Sequence, residues 1–345
     1  MRGRRVIHAQ PRRIRVLVAD DSALFRELLA GVVADAPGFE VVAVAADGHE
    51  AAALARQHRP DVITMDLNMP EADGYAGIAR IMADTPTPIL VLTASPSEAA
   101  GFRALSLGAL DILEKPQATA DLDVYGRQLR SRLKLLAGVK VIRHPRGLRV
   151  EGTPPPRRAA RADLVVVGAS LGGPRALVSL LRGLAPAFPA PIAVVQHIAD
   201  GFTEGLAAWL SAETRLDVRE ARDREPLAPG RILVAPSGRH LVVTDGVARL
   251  SDAEPVETFK PSVTPLFLSA ARHYGARACG VILTGMGRDG AEGLRAIRAA
   301  GGPTIAQDEA TSAVFGMPRA AIELDAVDRV LPLEEIPRAL VELTR

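Results

Sequence analysis

The stretch LVVVGASLGGPR, residues 164–175, joins an apolar run to a glycine-rich turn that contains a serine. Four consecutive apolar residues are typical of a buried strand, and buried parallel strands are covered by helices that follow them. A glycine-rich turn after such a strand either holds a phosphate or exposes a nucleophile. The stretch therefore predicts an α/β fold and makes Ser170 a candidate site residue.

The phosphate-binding interpretation of this turn fits its residues poorly. A P-loop ends in Gly-Lys followed by Ser or Thr, whereas here Gly173 is followed by Pro174 and Arg175. A dinucleotide-binding turn has glycine where this chain has Ser170, whose side chain would obstruct a pyrophosphate. What remains is the pattern Gly-x-Ser-x-Gly after a strand, which exposes a serine nucleophile on a sharp turn.

A serine nucleophile needs a general base and an acid that orients the base. His197 ends the run IAVVQH, one predicted strand after Ser170, so a parallel sheet would place the two side by side. Asp289 follows the run GVILTGM in a glycine-rich turn, whose backbone N–H groups suit an oxyanion hole. Taken singly, such a histidine is more often a core or surface residue, and such an aspartate a turn residue. Together, at three strand ends, they predict a Ser-His-Asp triad.

The rest of the sequence predicts two α/β domains. The 345 residues are 48% hydrophobic and 3% aromatic, which is ample aliphatic material for two packed cores. Strand-like runs alternate with helical patterns on both sides of a basic, proline-rich segment. We predict a basic tail over residues 1–12, a first domain over 13–135, a linker over 136–162 and a second domain over 163–345.

The positive charge lies mainly outside these domains. Residues 1–15 hold six arginines and no acid, and residues 137–162 hold seven Lys or Arg against Glu151, although the whole chain has a net charge of +2. A solvated tail and linker explain this distribution better than a nucleic-acid-binding surface.

Apolar runs stay well short of the roughly 18 residues of a membrane span. The single cysteine, Cys279, fits a small core residue in a reducing cytoplasm. We expect a cytoplasmic protein with no nucleic-acid partner and no membrane insertion.

Acidic residues follow several predicted strands of the first domain. Asp20 and Asp21 follow IRVLVA, Asp66 ends DVITMD, and Lys115 follows LDILE. Any one such acid could be a solvated loop residue, but ligands of an open parallel sheet bind where its strands end. Oxygen ligands without His or Cys favour Mg²⁺. Asp66 is then placed as the nucleophile for a phosphoryl group, whose oxygens Lys115 and Thr93 can contact.

This arrangement resembles the receiver domain of two-component response regulators. The resemblance implies a flavodoxin-like fold for the first domain and phosphorylation of Asp66 by a chemotaxis histidine kinase. It also implies that Mg²⁺ is held by Asp20, Asp21, Asp66 and the carbonyl of Asn68.

The second domain resembles the catalytic domain of chemotaxis protein-glutamate methylesterases, the CheB family. The motifs that carry the resemblance are GASLGGP, VVQHIADGFTEGLAAWL, PGRILVAPSGRHL, KPSVTPLFLSAA, GVILTGMGRDGAEGL and AQDEATSAVFGMPRAAI, in this order. The resemblance implies a doubly wound parallel sheet with Ser170 as nucleophile, His197 as general base and Asp289 as orienting acid. It also implies a phosphorylation-activated hydrolase of chemotaxis adaptation. Such an enzyme demethylates glutamate methyl esters and deamidates glutamines on methyl-accepting chemoreceptors, with no cofactor at the esterase site.

Three positions depart from these family patterns. Leu171 follows the serine in place of threonine, Thr264 stands where an acid is often found, and Ile112 replaces the usual aromatic three residues before the receiver lysine. We expect the first two to tune rate or receptor choice without abolishing catalysis, and the third to alter the receiver's conformational switch.

Two rival functions also fit parts of the sequence. In one, the chain is a non-catalytic response regulator whose second domain only docks to a partner, and the joint presence of the three triad residues argues against it. In the other, the enzyme serves a chemosensory pathway other than flagellar chemotaxis. No residue of the sequence separates that pathway from chemotaxis.

Overall fold

The computed structural model describes residues 12–69, 74–94, 99–116, 122–139, 161–256 and 258–345. Except for Arg12, the predicted basic tail lies outside these residues, as does the stretch 140–160 of the predicted linker. The domain boundaries therefore stay predictions. Within the described ranges, no helix is both long enough and apolar enough to cross a membrane.

The first part of the chain alternates strands and helices. The strands are β1 (Ile14–Ala19), β2 (Phe39–Ala45), β3 (Val62–Asp66), β4 (Ile89–Thr93) and β5 (Asp111–Glu114), and the helices are α1 (Ala23–Ala34), α2 (Gly48–His58), α3 (Gly74–Asp84), α4 (Ala99–Leu107) and α5 (Leu122–Leu136). The strands form one sheet in the order β2-β1-β3-β4-β5. Strand β1 pairs in parallel with both β2 and β3, so the strand order reverses beside it. In such a sheet the carboxyl ends of β1 and β3 border the crevice where ligands bind.

The second part of the chain has two sheets. Its strands are β6 (Leu164–Ala169), β7 (Ile192–Gln196), β8 (Asp217–Glu220), β9 (Glu225–Pro226), β10 (Arg231–Val234), β11 (His240–Thr244), β12 (Val247–Ser251), β13 (Ala278–Ile282), β14 (Thr304–Gln307) and β15 (Arg329–Leu331). Its helices are α6 (Gly173–Arg182), α7 (Thr203–Thr214), α8 (Val263–Tyr274), α9 (Ala291–Ala299), α10 (Met317–Glu323) and α11 (Ile336–Leu343).

Seven of these strands form a parallel sheet in the order β15-β14-β13-β6-β7-β10-β8. Strand β6 lies between β13 and β7, so residues that follow these three strands meet at one edge of the sheet. The central strands are apolar and fully buried, as expected for a parallel sheet covered by helices. The fold class predicted from the sequence, α/β with parallel sheets in both domains, is confirmed.

The remaining three strands form a small antiparallel sheet in the order β11-β12-β9, which the sequence analysis did not predict. Strands β11 and β12 are joined by Asp245 and Gly246, which have φ values of 39° and 85°. Positive φ at both central residues is typical of a type I′ hairpin turn, for which Asp-Gly is a preferred sequence. Strand β11 packs against α8, where the backbone N–H of Val243 donates to the Ser269 hydroxyl at 3.0 Å. The small sheet therefore supports α8.

Cys279 lies in β13 and has no exposed surface. Burial in this apolar strand raises the pKa of Cys279 to about 12, so the thiol stays neutral. The prediction that it is a small core residue is confirmed.

Candidate active site

Ser170 directly follows β6 and begins the glycine-rich turn. Its backbone N–H donates to the carbonyl oxygen of Thr284 at 3.0 Å, which ties the turn to the end of β13. Gly172 has a φ of 76°, in the left-handed region that glycine adopts readily. Gly285 allows a close approach from the other side, because a Cβ on it would lie 2.8 Å from the Cβ of Ser170. The two glycines thus shape the backbone on both sides of the serine.

Gln196, the last residue of β7, joins the serine turn to the neighbouring strand end. Its buried amide nitrogen donates to the carbonyl oxygens of Ser170 and His197, at 2.7 and 2.8 Å. The backbone N–H of His197 donates to the Ala169 carbonyl oxygen at 2.9 Å, which continues the parallel pairing of β6 and β7. The backbones of Ser170 and His197 are therefore held side by side. Gln196 was not among the predicted site residues, although it directly precedes the predicted base.

His197 and Asp289 form a buried pair. Nε2 of His197 lies 2.8 Å from Oδ2 of Asp289, and the two side chains are 7% and 2% exposed. The ring of Phe259 stacks on the imidazole, with a centroid distance of 4.1 Å and an interplanar angle of 3°. Within the described residues, Nδ1 of His197 is buried without a hydrogen-bond partner, and no hydrogen bond joins it to the Ser170 hydroxyl. Nδ1 is thus the ring nitrogen left available to a serine.

The start of α8 surrounds the Asp289 carboxylate with donors. Oδ1 accepts from the Ser262 hydroxyl at 2.7 Å, from the Thr264 hydroxyl at 2.7 Å and from the Thr264 backbone N–H at 3.0 Å. Oδ2 accepts from the Val263 backbone N–H at 2.7 Å in addition to His197. A carboxylate at a helix N-terminus is also favoured by the helix dipole.

These donors determine the protonation state of Asp289. Burial by itself raises the pKa of this carboxyl, but the hydrogen bond and charge of His197 and the hydroxyls of Thr264 and Ser262 outweigh it. The net effect holds the pKa of Asp289 well below its usual range. Asp289 is therefore an anion that can orient His197 and stabilise a positive charge on it.

Thr264, a departure from the family pattern that was expected to tune rate or receptor choice, contacts the acid directly. Its hydroxyl donates to Oδ1 of Asp289 and accepts from the backbone N–H of Gly290 at 2.9 Å. Thr264 therefore links α8 to the turn that carries the acid. Ser262, the N-cap of α8, was not identified, although a serine before an apolar helical run is a typical helix start.

A second cluster lies where the strands of the first sheet end. Carboxylate oxygens of Asp20, Asp21 and Asp66 lie within 4.8 Å of one another. Asp20 and Asp66 are buried, and Asp21 is exposed. Nζ of Lys115 lies 2.7 Å from Oδ2 of Asp20 and 2.8 Å from Oδ2 of Asp66, so one ammonium group bridges the two buried acids. Three convergent carboxylates without His or Cys fit a hard cation such as Mg²⁺.

Burial and charge compete in this cluster. Burial raises the pKa of Asp20 above its usual value, and the neighbouring Lys115 offsets this only in part. For Lys115, burial lowers the pKa, but hydrogen bonds to Asp20 and Asp66 bring the net pKa above its usual value. Lys115 is therefore a firmly charged partner for an anionic group bound here.

The other predicted residues of the first domain lie beside this cluster. The buried Thr93 ends β4, and its carbonyl oxygen accepts from the backbone N–H of Lys115 at 2.7 Å. The backbone N–H of Asn68 lies 3.4 Å from Oδ1 of Asp66. Ile112 is buried in β5. The structure thus brings Thr93, Asn68, Lys115 and the three acids to one edge of the sheet.

Comparison with known proteins assigns both parts of the chain. A family model described as CheB methylesterase matches residues 165–340, more than half of the chain. The chain belongs to the CheB methylesterase family. A second model, described as a response regulator receiver domain, matches residues 16–125. The predicted flavodoxin-like receiver domain, the CheB catalytic domain and the assignment as a hydrolase are confirmed.

Individual relatives agree with this assignment along nearly the whole chain. A protein of Anaeromyxobacter dehalogenans (strain 2CP-C) named protein-glutamate methylesterase/protein-glutamine glutaminase 2 is 78% identical over 334 residues, covering 97% of this chain and 98% of that one. A protein of Myxococcus xanthus (strain DK1622) with the same name and the number 3 is 45% identical, covering 96% and 94%. The crystal structure of the Thermotoga maritima CheB methylesterase catalytic domain matches with 41% identity and a TM-score of 0.51, covering 53% of this chain and 98% of that one.

Proposed function

We propose that this CheB family member demethylates glutamate methyl esters and deamidates glutamines on methyl-accepting chemoreceptors. The observation that carries the proposal is the buried His197–Asp289 pair, held next to Ser170 where three adjacent parallel strands end. The names of the relatives support the two reactions. A chemotaxis histidine kinase is the proposed phosphodonor for Asp66, and the proposed location is the cytoplasm.

The proposed reaction begins at the Ser170 hydroxyl. Because a carboxylate only accepts, the hydrogen bond to Asp289 places the proton of neutral His197 on Nε2 and leaves a lone pair on Nδ1. Nδ1 takes the proton of Ser170 while Oγ attacks the side-chain carbonyl carbon of the receptor residue. Asp289 then stabilises the imidazolium that forms.

The same groups complete both reactions. The backbone N–H of Leu171 and backbone N–H groups of the turn between Gly285 and Gly290 would donate to the oxyanion. The proton on Nδ1 passes to the leaving methoxide or amide nitrogen, and methanol or ammonia departs from a γ-glutamyl ester of Ser170. Water, deprotonated by His197, then hydrolyses this ester to glutamate and regenerates the serine. One site therefore serves both substrates, since they differ only in the leaving group.

Control is proposed to come from the acidic cluster of the receiver domain. Mg²⁺ would be held by Asp20, Asp21, Asp66 and the Asn68 carbonyl, and when bound it would neutralise charge during phosphoryl transfer to Asp66. Lys115 already bridges two of these acids and is placed to form an ion pair with the phosphoryl group on Asp66.

Methanol release from methylated receptor membranes, with and without a small phosphodonor and Mg²⁺, tests the proposal. We expect release by the full-length protein and a phosphodonor-dependent increase of roughly 5- to 150-fold, which corresponds to about 1–3 kcal/mol of coupling. Because Ile112 replaces the usual aromatic, we expect a value toward the lower end. Absence of methanol release under both conditions would favour the rival interpretation of a docking-only regulator.

Replacing Thr264 with valine is expected to lower kcat for methanol release about 10-fold while leaving KM unchanged. The variant keeps the shape of the side chain but removes a hydrogen bond to the charged Asp289, a bond of roughly 1.5–3 kcal/mol. The matched control is Thr264→Ser, which keeps the hydroxyl and should stay within about 3-fold of the native rate. Equal rates for the valine and serine variants would show that this hydroxyl does not support Asp289.

A further inference from the structure

His240, the first residue of β11, is buried, and both of its ring nitrogens are hydrogen-bonded. Nδ1 lies 3.1 Å from the backbone nitrogen of Ser262, and Nε2 lies 3.0 Å from the carbonyl oxygen of Glu254. A backbone N–H can only donate, and a carbonyl oxygen can only accept. Nδ1 is therefore the acceptor, Nε2 carries the hydrogen, and His240 is held as a single tautomer.

The Nδ1 contact connects His240 to the candidate active site. Ser262, the N-cap of α8, is fully buried, and its hydroxyl donates to Oδ1 of Asp289 at 2.7 Å. The Ser262 backbone N–H precedes the helix and donates to His240. A chain of hydrogen bonds thus runs from His240 through Ser262 and Asp289 to His197.

We propose that His240 is a positioning residue for the Ser170-His197-Asp289 triad, acting through Ser262. Its Nδ1 fixes the backbone of Ser262 in the extended conformation, with φ of −115° and ψ of 146°, from which the serine hydroxyl reaches Asp289. Without this acceptor the buried Ser262 N–H loses its partner, and the helix start can shift away from the carboxylate. The proposal rests on the triad chemistry proposed above.

A purely structural role would depend on the other nitrogen. Nε2 ties β11 to the carbonyl of Glu254, in the segment between β12 and α8, and makes no contact with the triad. Two conservative substitutions separate the roles. In His240→Asn the amide oxygen can take the place of Nδ1 and keep the acceptor for Ser262. In His240→Gln the longer amide reaches the place of Nε2 and keeps the donor to Glu254 while the acceptor for Ser262 is lost.

The experiment measures kcat and KM for methanol release by the full-length protein on methylated receptor membranes, together with Tm. We expect His240→Gln to lower kcat roughly 10-fold with little change in KM, and His240→Asn to stay within about 3-fold of the native value. The matched control is His273→Gln, at a partly exposed histidine near the end of α8, which should behave like the native protein. A His240→Gln variant as fast as the native enzyme would overturn the proposal, as would equal losses of kcat and Tm in both His240 variants.

Coupling to Ser262 is tested by a double-mutant cycle. If His240 acts through the serine, adding His240→Gln to Ser262→Ala should lower kcat little further, whereas additive losses would contradict the proposed route. Nitrogen-15 NMR of the native protein gives a test that needs no variant to fold. We expect the Nε2–H tautomer for His240 at neutral pH, and the Nδ1–H tautomer would overturn the proposal.

These outcomes are distinct from a failure of the proposed function. Full activity of Ser170→Ala would contradict the proposed triad itself, whatever the activities of the His240 variants. If Ser170→Ala is inactive and His240→Gln is fully active, only the proposal for His240 is contradicted.

Discussion

Ser170→Ala is expected to lower kcat for methanol release and for glutamine deamidation by a factor on the order of 10⁶, as loss of a serine nucleophile does in other triad hydrolases. The proposed γ-glutamyl ester forms on Oγ of Ser170 in both reactions, so both reactions stop together when this atom is removed. Single-turnover assays on methylated receptor membranes, with ammonia release measured in parallel, check this result.

A control substitution separates loss of chemistry from loss of fold. Ser211→Ala removes another hydroxyl of the same domain, one that donates to the Leu216 carbonyl oxygen at 2.8 Å near the end of α7. This variant should keep native activity, and Ser170→Ala should keep a native-like Tm. Methanol release by Ser170→Ala within 10-fold of the native rate would contradict the assignment of the nucleophile.

Asp66→Asn is expected to abolish labelling of the protein by a small radioactive phosphodonor in the presence of Mg²⁺. The amide cannot form the aspartyl phosphate, and it removes one of the three carboxylates that would hold the ion. Quantification of the labelled phosphate incorporated into the protein measures the effect. Asp21→Ala should retain the nucleophile but need more Mg²⁺ for the same labelling.

The control for this substitution is Asp35→Asn, at an exposed aspartate that caps the end of α1. It should be labelled like the native protein, and its methanol release should still rise with phosphodonor. Label that persists in Asp66→Asn would place the phosphorylation site elsewhere. If methanol release by Asp66→Asn still rises with phosphodonor although no label is incorporated, activation does not depend on this cluster.

Residues at the ends of apolar runs were predictable because each run is a local signal and the parallel sheet collects the strand ends at one edge. Asp20, Asp66 and Lys115 meet in this way, and so do Ser170 and His197. The supporting residues were not predictable on the same grounds. Ser262, Thr264 and Phe259 approach His197 and Asp289 from a segment that follows no strand of the parallel sheet, so their placement depends on long-range packing.

The small antiparallel sheet was missed for a different reason. The Asp245-Gly246 pair is a recognised hairpin signal, but the strands on either side of it are short and do not follow the alternation of strands and helices that predicted the parallel sheet. His240, the first residue of β11, was therefore not predicted to be a site residue. Strands β8 and β15 are only four and three residues long and both include charged side chains, so they are too short to give a periodicity signal.

The five donors around Asp289 also determine how the site responds to low pH. The two oxygens of the Asp289 carboxylate together accept five hydrogen bonds. Protonation of Asp289 must therefore displace a hydrogen bond, so Asp289 is a poor proton acceptor. Since its pKa is lowered on folding, its contribution to stability is complete above the ordinary carboxyl value of about 3.9. That contribution is lost only as the pH falls through the lowered value. Asp289 therefore keeps the negative charge that orients His197 under mildly acidic conditions. In the proposed reaction, protons move between Ser170, His197, water and the substrate, and not to Asp289.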